Sequence, residues 1–170
     1  MQTGFSFTDA LAFGFRKPHV DYVQRRAAYV VTVRTGNVAM VGSGRHRFLP
    51  GGGALPEEAA EMTVAREVRE ELGREVRLLR KVGEAIQYFY SRDDNRHYEM
   101  LAVFFAGEFT NRLPNEVGEH SLQWLPIAEA SLVCFHECHA WAIRQFNEVT
   151  QQIVGPEPPP SPDESECFAS

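Results

Sequence analysis

The sequence predicts an α/β domain in which a mixed sheet is covered by helices on its faces. Two observations carry that reading: strand-like and helix-like segments alternate irregularly along the chain, and no internal repeat is present. A third bounds it. The chain has 170 residues, 44% of them hydrophobic and 24% charged, enough for one sizeable core and too few for two. A single domain over residues 1–154 is expected, followed by a tail over 155–170.

Ala27 to Val33 is β-branched and ends at Gly36-Asn37, after which Val38 to Val41 resumes, so two strands joined by a tight turn are expected. Gly42 to Gly53 combines five glycines and Pro50 with Arg45, His46 and Arg47 and reads as loop. A helix follows from about Pro56 to Leu72, with Pro56, Glu57 and Glu58 at its start and Gly73 as its stop. Val76 to Tyr90 and Tyr98 to Phe109 suit two long strands of one antiparallel pair. Glu119 to Ile127 reads as a short strand. Phe135 to Val149 reads as a second helix, with Phe135, Ala142, Phe146 and Val149 on one face. The tail holds Pro156, Pro158, Pro159, Pro160 and Pro162 with four acids and no base, the composition of a flexible acidic segment.

The net charge of −6 offers no global positive field for duplex nucleic acid, and without the four acids of the tail the rest carries −2. The longest apolar run, roughly Leu101 to Ala106, is far below the about 20 residues that cross a bilayer. Neither a membrane nor duplex nucleic acid is expected as a partner. No secretory signal is read over Met1 to Ala12, and three cysteines build no exported disulfide framework, so a reducing cytoplasm is the simplest expectation.

Chemistry concentrates on the first helix. Ala60, Val64, Val68 and Leu72 make an apolar stripe, while Glu67, Glu70 and Glu71 sit at i, i+3 and i+4 and converge on another part of the surface. Clustered carboxylates suit a hard divalent cation; the competing reading is a solvated face neutralised by Arg66 and Arg69. Leu49-Pro50-Gly51-Gly52-Gly53 lies just before the helix, and glycines let backbone approach a metal or phosphate. Glu58 and Arg66, eight residues apart, could tie the loop to the middle of the helix.

Gly52, five residues, Glu58, seven residues, then Arg66-Glu67-Val68-Arg69-Glu70-Glu71-Leu72-Gly73 resembles the Nudix box of MutT-like hydrolases. The resemblance implies an α/β/α sandwich and a Mg²⁺ or Mn²⁺ site built by Glu67, Glu70, Glu71 and the Gly51 carbonyl. It makes Glu58 and Arg66 the structural pair. It also implies attack of water on a phosphorus of a nucleoside diphosphate linked to another group, with Glu70 and Glu71 catalytic and with Glu119 or Glu116, ahead of Trp124, as the base. Three departures fall on Leu55, where an acid is common, on Glu57, where a glycine is common, and on Arg74, where an aliphatic residue is usual; loop geometry and packing after the helix are where this chain should differ.

Arg45 and Arg47 could meet polyphosphate, and Tyr88 and Tyr90 could stack on a base; the bland alternatives are an exposed basic loop and strand aromatics in the core. Cys134, His136, Cys138 and His139 invite a zinc reading, but buried cysteines acting as small hydrophobes are commoner. In the family a proline past the box goes with ADP-ribose and a tyrosine with dinucleoside polyphosphates. Here no proline lies between Pro56 and Pro114, while Tyr88 and Tyr90 are at such a distance. The expected substrate is therefore a nucleoside triphosphate, oxidised ones included, or a dinucleoside polyphosphate. ADP-ribose or a nucleotide sugar, or a catalytically silent nucleotide-binding module, are the alternatives. A small nucleotide is the expected partner, with a homodimer left open.

Overall fold

The computed structural model describes residue 7 and residues 9–43, 45–114 and 118–154. The chain runs β1 (Leu11–Phe13), β2 (Tyr22–Val31), β3 (Val33–Arg34), β4 (Asn37–Ser43), β5 (His46–Phe48) and β6 (Gly51–Gly53), then α1 (Ala60–Leu72). The long strands β7 (Arg74–Ser91) and β8 (Arg96–Arg112) follow, then β9 (Leu122–Pro126), α2 (Ile127–Val133) and α3 (Glu137–Val154). The tail over 155–170 lies outside the described residues.

A five-stranded mixed sheet in the order β1-β7-β8-β2-β6 forms the centre. Here β2 runs parallel to β8, β1 runs parallel to β7, and the β7–β8 and β2–β6 pairs are antiparallel. The inner half of β2, Ala27 to Val31, is buried at five successive positions, as a central strand must be when both faces of its sheet are covered. On one face Ala60, Val64 and Val68 of α1 pack on Ala28, Val30, Val103 and Phe105. On the other, Cys138, Ala142 and Ile143 of α3 pack on Ala27, Tyr29, Ala102 and Phe104. The sandwich of a mixed sheet between helices is as expected, and so is the long antiparallel pair.

Four local expectations need correction. The turn of the hairpin sits on Thr35 and Gly36, both left-handed with φ of 48° and 74°, and its two arms are β3 and β4. The chain changes sheet at Thr32, so β4 pairs with β3, β5 and β9 in a second sheet and does not extend the first. The glycine run is no loop: Gly51, Gly52 and Gly53 pair with Tyr29, Ala28 and Ala27 as an edge strand. Gly51 has φ of +133°, and a Cβ there would stand 2.2 Å from the Ala28 carbonyl oxygen, so only glycine follows this path.

The first helix begins at Ala60, because Glu57 is left-handed, with φ of 59°, and breaks any earlier start. The second helix, expected over Phe135 to Val149, runs over Glu137–Val154, so Phe135 precedes it and is 44% exposed, and the short α2 lies ahead of it. Among the described residues no helix is long and apolar enough to cross a membrane.

Candidate active site

The junction into α1 is organised by one carboxylate. Ala59 offers no side-chain cap to the helix. Glu58 instead accepts the Leu55 N–H at 2.9 Å, the Thr63 hydroxyl at 2.9 Å and the Arg66 guanidinium at 2.9 and 3.0 Å. The Arg66 hydrogen bonds hold the Glu58 carboxyl down at about 2 despite its burial. Arg66 also donates to the Gly53 carbonyl oxygen at 2.8 Å, so this one guanidinium ties the glycine strand, the junction and the helix together. Sequence spacing suggests the pair; the Gly53 contact needs the fold.

The three box glutamates do not share one environment. Arg66 reaches both Glu67, at 2.9 Å, and Glu70, at 3.0 Å, and the Glu70 side chain is half exposed. Glu67 and Glu71 face the glycine strand. The Gly51 N–H donates to Glu71 Oε2 at 3.0 Å, and a Cβ on Gly52 would lie 2.6 Å from the Glu67 carboxyl carbon. Burial is the first cause of a Glu71 pKa near 8, and Glu67, Glu119 and Glu70 raise it further against the single Gly51 hydrogen bond. Burial likewise raises Glu67, opposed by Arg66. All-oxygen and mutually repelling, with Glu67 and Glu71 largely buried, this donor set has the chemistry that suits a hard divalent cation, although among the described residues no three such side chains stand together as a metal-holding group.

The segment that begins at Gly118 is clamped on the end of α1. The Glu119 N–H donates to the Glu70 carbonyl and the His120 N–H to the Glu71 carbonyl, at 3.1 and 2.9 Å. Gly118 allows this contact, since a Cβ there would stand 2.3 Å from the Glu71 carbonyl oxygen. The clamp brings Glu119 close enough to act electrostatically on Glu71, and Glu116 lies outside the described residues.

Above the carboxylates opens a cleft of about 370 Å³. Its lining combines the backbone of Gly42, Gly51, Gly52 and Gly53, the carboxylates of Glu67 and Glu71, the rings of Tyr29, Phe48, Phe89, His120, Phe135 and His136, the apolar Val41 and Met100, and Arg25. The rings touch one another: Phe89 and His136 centroids are 4.7 Å apart, Phe135 and His136 4.8 Å, and Phe48 and Phe135 5.5 Å. Burial, helped by Arg25 and His46, lowers His136 to about 4, so this ring is neutral at pH 7.

Arg45, Arg47, Tyr88 and Tyr90 are not among the lining residues. Side chains alternate across a strand, so Tyr88 and Tyr90 stand on the face opposite Phe89, where the Tyr88 hydroxyl donates to Glu99 at 3.0 Å. Arg47 donates to the His46 carbonyl oxygen. No local signal marks Arg25: it shares a face of β2 with Ala27 and Tyr29, but nothing in the segment itself says that this face meets the glycine strand. Cys134 ends α2 and Cys138 lies in α3, so they share no helix face; Cys134 donates to the Ala130 carbonyl and Cys138 is fully buried. Leu55 is exposed, and Arg74 opens β7 opposite Arg112, so neither departure disturbs the cleft.

A family model described as the NUDIX domain matches residues 23–147. The chain is 29% identical over 139 residues to diphosphoinositol polyphosphate phosphohydrolase 3-alpha of Mus musculus, covering 78% of this chain and 82% of that protein. Among solved structures it is similar to a NUDIX hydrolase from Nitrosomonas europaea, with a TM-score of 0.60, 16% identity and coverage of 76% of this chain and 92% of that one. It is also similar to an ADP-ribose pyrophosphatase from Streptococcus suis, with a TM-score of 0.55, 16% identity and coverage of 75% and 92%.

Proposed function

The chain belongs to the Nudix hydrolase family, and on that premise we propose that this pyrophosphohydrolase acts on a diphosphate carrying an aromatic base: a nucleoside triphosphate, oxidised ones included, or a dinucleoside polyphosphate. The observation that carries this reading is the cleft lining, in which six rings, Tyr29, Phe48, Phe89, His120, Phe135 and His136, stand with two carboxylates and Arg25 is the one described arginine. A planar base gains from stacking between rings, whereas an inositol bearing many phosphates has no aromatic face and calls for many cations. The mouse relative is named for such an inositol substrate, and the cleft lining argues against carrying that substrate over.

Members of the family generally use a divalent metal, and here Glu67, Glu70, Glu71 and the Gly51 backbone would hold Mg²⁺ or Mn²⁺. When bound, the cation shields phosphate charge and lowers the pKa of water near it. The rest falls to the chain itself. The Arg25 guanidinium pairs with a phosphate oxygen, and the ring wall holds the base. Glu119, at the end of α1, orients the attacking water and takes its proton; Glu116 is the alternative base. Water oxygen bonds to phosphorus, the phosphoanhydride bond breaks, and a nucleotide and a phosphorylated remainder leave.

A panel of nucleoside triphosphates, dinucleoside polyphosphates, ADP-ribose and a diphosphoinositol polyphosphate, each with Mg²⁺, Mn²⁺ or chelator, tests the reading. The expected result is metal-dependent release with the highest kcat/KM on a base-bearing triphosphate or dinucleotide. A preference for the inositol substrate or ADP-ribose overturns the substrate assignment, and binding without turnover anywhere marks a silent module.

A further inference from the structure

The second helix side of the sheet carries a histidine that the reaction above does not use. His139 is fully buried, ringed by Tyr29 at 4.3 Å, His136 at 5.3 Å and Phe104 at 5.6 Å between centroids. Its Nδ1 accepts the Leu49 N–H at 3.1 Å, and among the described residues its Nε2 has no hydrogen-bond partner. Burial holds the imidazole neutral, its pKa well below the ordinary 6.5. An apolar ring would fill this place without the cost of an unpartnered Nε2. What only the imidazole supplies is an acceptor for Leu49.

That acceptor matters because of where Leu49 leads. Its own side chain is fully buried, and the next two residues are each held by a different element. The Pro50 carbonyl oxygen accepts the Val30 N–H of β2 at 2.9 Å, and the Gly51 N–H donates to Glu71 of α1 at 3.0 Å. Three successive residues are thus pinned to α3, β2 and α1 in turn. Pro50 has a ring-restricted φ, and Gly51 is paired with Tyr29 in the β2–β6 ladder, so the short link between them has little slack to absorb a shift at Leu49 before it reaches the Gly51 N–H.

We infer that His139 is a positioning residue for the hydrolysis: through the Leu49 N–H it fixes the Gly51 amide that orients the Glu71 carboxylate. The role rests on reading the Glu67–Glu71 wall as the site of hydrolysis. His139 is not among the residues that line the cleft, so it acts on alignment and leaves ground-state binding of the substrate alone.

Two variants separate this role from simple core filling. His139→Phe keeps a ring and removes the acceptor, while His139→Asn leaves a larger void and keeps an acceptor near the Nδ1 position. With the best substrate of the panel, His139→Phe should lower kcat by about tenfold or more with KM changed less than about twofold. It should also speed hydrogen exchange at the Gly51 amide by about tenfold and weaken Mn²⁺ binding severalfold, both read without turnover. His139→Asn should restore kcat and Gly51 protection to within about threefold of the natural protein, despite its lower Tm. Equal losses in the two variants, or losses that track Tm alone, overturn the inference. Unchanged Gly51 exchange in His139→Phe overturns it as well. Should the natural protein hydrolyse nothing in the panel, the functional reading fails, while exchange at Gly51 and the Mn²⁺ affinity still decide the role of His139.

Discussion

Glu71 is the residue on which stability and chemistry pull in opposite directions. Its carboxyl is raised from the ordinary 4.5 to about 8, first by burial and then by neighbouring carboxylates. Between these two values the native state holds a proton that the unfolded chain has released, so this group makes the metal-free protein less stable as pH rises from 4.5 to 8. Glu71→Gln removes that burden. In chelator its Tm should exceed that of the natural protein by several degrees at pH 8 and match it near pH 4.5, while turnover falls by orders of magnitude. No gain at pH 8 would mean the carboxyl is better solvated than its burial suggests. The adjacent glycines make a second contrast. Gly51→Ala drives a Cβ into backbone and should destabilise by a few kcal/mol, whereas Gly52→Ala meets only the movable end of Glu67. Gly52→Ala should therefore fold near normally and lose metal affinity, a difference that thermal melts and Mn²⁺ titration separate.

At the scale of an element, α1 divides its work cleanly by face. Ala60, Val64, Val68 and Leu72 lie within 9% exposure and seat the helix on the sheet, leaving the glutamate face to the cleft. Val68→Asp buries an unpaired charge and should abolish the cooperative melt, unlike Glu70→Gln, which should keep it and lose turnover. The entry to the same helix is strained. Glu57 has φ of 59°, a conformation costing about 1–2 kcal/mol for a residue with a Cβ. Glu57→Gly should thus raise Tm by about 3 °C with kcat unchanged. This also accounts for the departure noted at this position: the turn keeps the left-handed backbone that a glycine would adopt freely.

For the whole molecule, the ring wall and the core behind it share two buried histidines. Burial lowers His136 to about 4 and His139 well below 6.5. Below 6.5 the unfolded chain takes up protons that the native state refuses, so folding stability falls as pH drops from 6.5 toward 4. Glu71 works the other way over part of that range, and Glu58, held at about 2, adds its loss only below about 4.5. Glu67 is raised as well, so in a Glu67→Gln/Glu71→Gln variant both opposing carboxyls are gone. Its Tm should decline steadily from pH 6.5 to 4, and a flat profile there would show that the two imidazoles are not held neutral.

Features that depend on near neighbours along the chain are legible before any fold is known. Helical period placed the apolar stripe of α1 and the glutamates beside it, eight-residue spacing suggested Glu58 with Arg66, and β-branched and aromatic runs marked the long pair β7–β8. These signals are local because a helix or strand repeats within a few residues. Which surfaces meet is set by the fold. It turned the glycine run into a strand by pairing it with β2, chose Phe89 over Tyr88 and Tyr90 for the cleft, and brought Arg25, His120 and His139 to a site far from them in the chain. It also divided the glutamates, giving Glu70 to the exposed side of Arg66 and Glu71 to the Gly51 amide. Strand partners, the buried face of a strand and the burial that sets a pKa are contacts between distant segments, and no periodicity within one segment encodes them.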